Sequence, residues 1–235
     1  MPYAEALELQ RAAAAARISG AIPDDLLLLV EHPPVVTLGR SARRENLLAP
    51  AESLAERGVE LFEVERGGDV TFHGPGQLVG YAIVDLKRHR QDLHWYLRRV
   101  EDALIVALAE LGVAGERRAG LTGVWTPGPL AAAGGDARAD DAPRRKIASI
   151  GVHARDWVTW HGFALNVSTD LSYFDAMIPC GIDGVRMTTV ERETGAAVSM
   201  ADAGQAMERA FAAVFGLHPT VVAREDLALP AGVAG

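Results

Sequence analysis

Apolar residues recur at helical spacing in three parts of the chain. Within residues 93–111 they follow one another at intervals of three and four, which places their side chains on one face of an α-helix. Asp92 precedes this segment as a candidate N-cap. The alanine-rich residues 1–18 and the segment that opens at Ser199 predict two further helices.

Shorter apolar runs, bounded by proline, glycine and polar residues, predict β-strands. They occupy residues 26–30, 35–38, 60–65, 78–86, 146–152 and 163–167. A short helix is predicted behind Pro50. Because some strands follow one another directly while others alternate with helices, the sequence predicts an α/β fold of the α+β type, a mixed sheet flanked by helices.

Residues 127–145 differ from the rest of the chain. They show no periodicity and are dense in proline, glycine, alanine and aspartate, which predicts a flexible loop or insertion. The full length of 235 residues is within the range of one α/β domain. We therefore expect a single domain, residues 1–235, that contains this loop.

Composition excludes several classes of function. Lysine and arginine total 23 against 31 acidic residues, a net charge of −8, which argues against a general nucleic-acid binder. One cysteine excludes a disulfide framework and a multi-cysteine zinc site, and the seven histidines show no metal-ligand spacing, so we expect no metal. No apolar run reaches the roughly 20 residues of a membrane span, and the first residues do not resemble a signal peptide. A cytoplasmic location is expected.

The lone cysteine, Cys180, lies between a proline and a glycine that favour a tight turn. A lone cysteine is often a small buried apolar side chain, but a turn presents it more openly than a core strand would. A reactive thiol needs a base or a cation beside it, because only a few per cent is ionised at neutral pH. Lys146 opens an apolar strand, where partial desolvation would let it exchange protons near neutrality. The positions of these residues along the chain decide neither whether Cys180 is reactive nor whether Lys146 lies beside it.

Four glycines lie between Arg66 and Gln77, in a segment that also carries His73. Glycines allow close approach of the backbone to a ligand, although a pair of turns would explain them equally well. The segment is neither a phosphate loop nor a dinucleotide fingerprint, since no Gly-Lys-Ser/Thr follows and a strand comes next. His161 and Gly162 precede another strand and are typical of a pocket wall.

Three motifs together resemble the lipoyl(octanoyl) transferases, which are octanoyl-[acyl-carrier-protein]:protein N-octanoyltransferases. They are R-G-G-D-V-T-F-H-G-P-G-Q-L-V-G-Y at 66–81, K-I-A-S-I-G-V at 146–152, and H-G-F-A-L-N-V at 161–167 followed by P-C-G-I at 179–182. The segment L-L-L-V-E-H-P-P-V-V-T-L-G-R near the start agrees as well. The similarity covers about residues 3–220.

This resemblance implies the fold of the biotin and lipoate protein ligases, with no cofactor. It implies that Cys180 is the acyl-thioester nucleophile and that Lys146 activates it. It further assigns an acyl pocket to Arg66, Gly67, Gly68, Asp69, Val70, Thr71, Phe72, His73, Ser149, Ile150, Gly151, Gly162, Phe163 and Ala164. The implied activity is the first step of endogenous lipoate biosynthesis.

The implied donor is octanoyl-acyl carrier protein, and the implied acceptors are lipoyl domains of 2-oxoacid dehydrogenase complexes and the glycine cleavage H protein. Carrier proteins are acidic, so docking on this acidic chain would need a local basic patch. The candidate patches are Arg40, Arg43 and Arg44, or Arg144 and Arg145.

Three alternatives remain open. An ATP-dependent lipoate or biotin ligase of the same fold would form an acyl adenylate and would not need Cys180. A non-catalytic carrier-binding module would need neither Cys180 nor Lys146. A cysteine amidotransferase that moves octanoyl groups between protein lysines would differ only in its donor.

Overall fold

The computed structural model describes residues 1–127, 145–182, 184–227 and 229. The predicted mixture of strands and flanking helices is confirmed. In the described part of the chain the α-helices are α1 (Tyr3–Ser19), α2 (Ala51–Glu56), α3 (Leu93–Glu110), α4 (Val190–Thr194) and α5 (Met200–Phe215). Short 3-10 helices lie at Arg44–Asn46, Leu86–Arg88, Leu171–Ala176, Pro179–Gly181 and Arg224–Asp226.

The strands form one large and one small sheet. They are β1 (Leu26–Val30), β2 (Val35–Leu38), β3 (Glu60–Glu63), β4 (Val70–His73), β5 (Gln77–Ile83), β6 (Glu116–Arg118), β7 (Leu121–Thr126), β8 (Arg145–Arg155), β9 (Val158–Asn166) and β10 (Arg186–Met187). The large sheet has the order β1-β5-β9-β8-β7-β6, and β10 pairs in parallel with the start of β8. The small sheet has the order β3-β2-β4, with β2 and β3 parallel. Both sheets contribute to the site described below.

Alternate residues of β5 and β9 pack against helices on opposite faces of the large sheet, as the two-residue period of a strand requires. On one face, α3 and α5 bury Leu104, Leu108 and Met207 against the sheet. On the other face, α1 buries small alanines against Val79 and Ile83. The small alanine side chains let α1 lie close to the sheet.

Several strands were not predicted from the sequence. β4 lies inside the glycine-rich segment, β6 and β10 are only three and two residues long, and β7 is interrupted by Gly123. Such short or glycine-containing runs carry too few side chains to establish a period. β9 begins at Val158, well before the predicted start at residue 163, because the polar His161 and the following glycine conceal the apolar pattern.

The predicted loop at residues 127–145 lies outside the described residues except at its ends. Pro127 follows β7, and Arg145 is already the first residue of β8. In the ranges that the structure describes, no helix combines the length and the apolar character needed to cross a bilayer.

Candidate active site

Cys180 and Lys146, which are 34 positions apart in the sequence, meet in the folded chain. Lys146 Nζ lies 3.0 Å from Cys180 Sγ, and Ser149 Oγ lies 3.7 Å from the same sulfur. Cys180 is partly exposed, whereas the Lys146 side chain is almost fully buried at 1% exposure. A thiol that reagents can reach is therefore in direct contact with a buried amine.

The turn that carries Cys180 holds the residue in an unusual backbone conformation. Cys180 has φ 58° and ψ 18°, in the left-handed region that is costly for a residue with a Cβ. Gly181 has φ 64°, and a Cβ there would lie 2.6 Å from Asp69 Oδ2. Asp69 in turn accepts hydrogen bonds from Asn46 Nδ2 at 2.5 Å and from the Val70 N–H at 2.7 Å. The direction of the Cys180 side chain is thus set by a turn packed tightly against Asp69.

The position of Lys146 depends on space left by a glycine of the neighbouring strand. Gly123 of β7 has φ 120°, and a Cβ there would lie 2.7 Å from Lys146 Cε. The ring of Trp125 lies 5.4 Å from Lys146 Nζ, which allows a cation–π contact. Within the described ranges no carboxylate lies within 4 Å of this amine. An ammonium ion here would find its counter-ion in the Cys180 thiolate, which it would stabilise.

A cavity of about 260 Å³ opens at Cys180 and continues over β8 and β9. Twelve of the fourteen residues predicted for the acyl pocket line it. They are Arg66, Gly68, Asp69, Val70, Thr71, His73, Ser149, Ile150, Gly151, Gly162, Phe163 and Ala164. The sequence motifs therefore come together around one cavity that has the thiol in its wall.

Gly67 and Phe72 are the two predicted pocket residues that do not line this cavity. The ring of Phe72 stacks on Tyr173 with a centroid distance of 4.4 Å, in the core of the small sheet. It points away because successive side chains of β4 alternate between faces, while His73 and Thr71 share the other face. The N–H of Gly67 donates to Val152 O at 2.8 Å and so joins the loop to β8.

Other cavity residues were not assigned from the sequence. The lining includes Tyr3, Val79, Tyr81, Leu121, Thr122 and Ile182. His161, which the sequence analysis expected in a pocket wall, also lines the cavity. Tyr81 follows Val79 by two positions on β5, so strand alternation was a usable signal for that pair. Tyr3 reaches the cavity from α1, and nothing in its local sequence indicates this.

A buried polar network lies beside the cavity. His73 Nδ1 is 2.8 Å from Gln77 Oε1, and Gln77 Nε2 donates to Asn166 Oδ1 and to Phe72 O. Since the Gln77 amide donates through its nitrogen, its oxygen accepts, and we assign the His73 proton to Nδ1. Burial, followed by the neighbouring His32, lowers the pKa of His73 to about 3. His73 is therefore neutral at physiological pH.

This shifted pKa predicts a pH-dependent stability. Between pH 6.5, where an unfolded histidine titrates, and about 3, the unfolded chain binds a proton at His73 that the folded chain does not. The free energy of unfolding should therefore fall as the pH drops through this window. The free energy of unfolding can be measured by urea denaturation at pH 7 and at pH 5.5. Between these two pH values, the wild type should lose about 1 kcal/mol more of it than His73→Asn does. Equal losses in the two proteins would contradict the assignment.

A second groove, of about 850 Å³, adjoins the residues on both sides of Cys180. Arg145, which lines this groove, forms a bidentate ion pair with Glu193, and both N–O distances are 2.9 Å. The Glu193 carboxylate raises the pKa of Arg145. In the described part of the chain, no three histidine, cysteine, aspartate or glutamate side chains are grouped as a metal site would require.

Comparisons with known proteins bear on the family and the fold. Residues 2–212 match the family model of the lipoyl protein ligase A/B catalytic domain. An octanoyltransferase of Acidobacterium capsulatum is 50% identical over 224 residues, which cover 91% of this chain and 86% of that protein. An octanoyltransferase of Gloeobacter violaceus is 47% identical, covering 93% of this chain and 88% of that protein.

Solved structures share the fold at lower identity. A bipartite lipoate protein ligase of Thermoplasma acidophilum has a TM-score of 0.68 at 19% identity, covering 93% of this chain and 83% of that chain. Lipoate-protein ligase A bound with ATP has a TM-score of 0.67 at 19% identity, covering 96% of this chain and 87% of that chain. The expected fold of the lipoate ligases is thereby confirmed.

Proposed function

Since the chain belongs to the lipoyl protein ligase A/B catalytic-domain family, we propose that it transfers octanoyl groups from octanoyl-acyl carrier protein to lysines of lipoyl domains. Its relatives named octanoyltransferase indicate an acyltransferase that acts in protein lipoylation. The observation that carries the proposed route, a thioester on Cys180, is the 3.0 Å contact between Cys180 Sγ and Lys146 Nζ. The proposed acceptors are the lipoyl domains of 2-oxoacid dehydrogenase complexes and the glycine cleavage H protein.

In the first step, the Cys180 thiolate attacks the carbonyl carbon of the carrier-bound octanoyl thioester. The new C–S bond to Cys180 forms as the C–S bond to the carrier breaks. Lys146 holds the proton released by the Cys180 thiol and passes it to the leaving thiolate of the carrier. One thioester replaces another, so this step is close to thermoneutral.

In the second step, the amine of an acceptor lysine attacks the Cys180 thioester. A C–N bond forms, the C–S bond to Cys180 breaks, and Lys146 as the neutral amine takes a proton from the incoming nitrogen. Because an amide is more stable than a thioester, the reaction proceeds without ATP. The same Cys180 and Lys146 atoms thus serve both half-reactions.

The cavity is suited to hold the acyl chain between these steps. It begins at the thiol, and Val79, Phe163 and Ala164 contribute apolar surface to its lining. About seven carbons beyond the carbonyl, at roughly 0.8 kcal/mol for each buried methylene, offer roughly 5 to 6 kcal/mol. Burial of the chain would therefore favour acyl groups of about this length.

The basic patch around Arg43 is the better candidate for binding the acidic carrier protein. Arg40, Arg43 and Arg44 are exposed, whereas Arg145 is engaged by Glu193 and Arg144 lies outside the described residues. The backbone N–H of Arg43 also donates to Asp69 Oδ1, which joins this loop to the carboxylate behind the Cys180 turn. A carrier bound here would lie beside the thiol.

Charge reversal should reveal this docking. For the Arg43→Glu, Arg44→Glu double variant, we expect kcat/KM for octanoyl-carrier protein to fall roughly tenfold at low salt, and the salt dependence to flatten. Octanoyl-pantetheine, which lacks the carrier surface, should react as with the wild type. Arg155→Glu is the matched control, since Arg155 is as exposed as Arg43 and also has only a weak contact to an adjacent acidic residue. An unchanged salt dependence in the double variant would argue against the patch.

The proposed function is tested by the intact mass of the protein after incubation with octanoyl-carrier protein in the absence of ATP. We expect one added octanoyl group, which hydroxylamine removes and which a lipoyl domain discharges as an octanoyl-lysine amide. A protein that instead uses free octanoate and requires ATP would be a ligase. A protein that transfers octanoyl from one protein lysine to another, but not from the carrier, would be an amidotransferase.

A further inference from the structure

The end of the cavity that is lined by Tyr3, His73 and His161 is polar, although an octanoyl chain ends in a methyl group. From Ser149, which is beside the sulfur, to Val152, β8 advances three residues, or roughly 10 Å. Val152 is paired with His161 of β9. An extended eight-carbon chain with C–C bonds of about 1.5 Å spans roughly 9 Å. The last carbon of an acyl group on Cys180 would therefore lie near His161.

Three polar side chains at this end have hydrogen-bonding capacity that the described residues do not use. The Tyr3 side chain is 1% exposed, and its hydroxyl makes no hydrogen bond to described residues. His161 Nε2 is buried without a hydrogen bond, and its nearest carboxylate oxygen, on Glu65, is 3.7 Å away. His73 uses Nδ1 for Gln77, which leaves its Nε2 as an acceptor.

These groups are uncharged. Burial raises the pKa of Tyr3 to about 12, so its phenol remains a hydrogen-bond donor. Burial lowers the pKa of both His73 and His161, so both imidazoles are neutral, and His73 presents the lone pair of its Nε2. The nearby Arg66 guanidinium donates hydrogen bonds to Thr37 and to the carbonyl oxygen of Gly67. Tyr3, His73 and His161 thus offer neutral hydrogen-bonding groups to a ligand.

Leaving a buried atom such as His161 Nε2 unpaired beside a methyl group is costly, because that atom has lost its hydrogen bonds to water. A hydroxyl group both donates and accepts, and so complements a phenol and an imidazole lone pair. We propose that this end of the cavity is a polar subsite that binds a hydroxyl on the last carbon of an eight-carbon acyl chain. The protein then takes ω-hydroxyoctanoyl thioesters as donors, an inference that rests on the proposed acyl transfer to Cys180.

The test compares two small donors, octanoyl-pantetheine and 8-hydroxyoctanoyl-pantetheine, by the rate at which each adds its acyl group to Cys180 in single turnover. For the wild type we expect the hydroxylated donor to react within tenfold of octanoyl-pantetheine. In Tyr3→Phe, which removes only the phenolic oxygen, the ratio of hydroxyoctanoyl to octanoyl rates should fall at least fivefold. Tyr173→Phe removes a phenol that lies outside the cavity and should leave this ratio unchanged.

The outcomes separate the two proposals. If the wild type reacts with octanoyl-pantetheine but discriminates more than tenfold against the hydroxylated donor, the subsite is rejected and the proposed function stands. If Tyr3→Phe lowers both rates equally, Tyr3 supports the fold rather than the hydroxyl, and the subsite is again rejected. If neither donor acylates Cys180, the proposed function fails and the subsite fails with it.

Discussion

Replacement of Cys180 by serine is expected to lower octanoyl transfer at least about a thousandfold. A hydroxyl is far less acidic than a thiol, so Lys146 would have to generate a much stronger base than a thiolate before attack can begin. Serine differs from cysteine by one atom, and Cys180 is partly exposed, so the fold should tolerate the exchange. Steady-state transfer from octanoyl-carrier protein to a lipoyl domain measures the loss.

Two further measurements make the result for Cys180→Ser decisive. The intact mass should show no hydroxylamine-labile octanoyl group, and the thermal unfolding midpoint should match that of the wild type within a few degrees. Cys180 is the only cysteine in the chain, so no second thiol can replace it. A folded Cys180→Ser protein with full transferase activity would exclude the thioester route and favour a ligase mechanism.

Replacement of Lys146 by methionine should lower the overall transfer rate by roughly 10²- to 10⁴-fold, the range typical of removing a positioned acid–base group. Methionine fills similar space beside Gly123 and Trp125, so the change removes the ammonium without leaving a large cavity. The thiolate of Cys180 would then lack the cation that stabilises it. Alkylation of Cys180 by iodoacetamide at pH 7 should slow at least about tenfold.

Lys87→Met is the matched control, because Lys87 is the only other lysine in the chain. Its side chain is 44% exposed and contacts Asp85, away from the cavity. This variant should alkylate and transfer at the wild-type rate. If Lys146→Met also alkylated at that rate, the contact between Lys146 and Cys180 would have no part in activating the thiol.

The main elements of the fold could be predicted because their patterns are local. The segment after Asp92 carries a helical period and a capping side chain, and the structure places α3 there, with Asp92 accepting from two backbone N–H groups. The short strands β6 and β10 were missed because two or three residues cannot display a period. They become strands through hydrogen bonds to β7 and β8, which are tertiary contacts.

The residues of the candidate site were predicted from family motifs rather than from hydrophobic periodicity. The motifs indicated twelve residues that line the cavity, but they could not separate Phe72 from His73, its neighbour in the same run. Which of the two faces the cavity depends on the pairing of β4 with β2, where Phe72 is opposite Val36 and His73 opposite Val35. Tyr3 comes from a distant helix and carries no local signal of its role.

By itself, the sequence determined the class of fold, the positions of the long helices and strands, and the identity of the one thiol and of the lysine proposed to activate it. These depend on side-chain chemistry and on local periodicity, which a linear chain already contains. Only the tertiary structure decided that Lys146 Nζ lies 3.0 Å from Cys180 Sγ, and that Tyr3, His73 and His161 line the same cavity as the thiol. The distance between groups on separate elements is set by strand pairing and packing, and no residue encodes that distance alone.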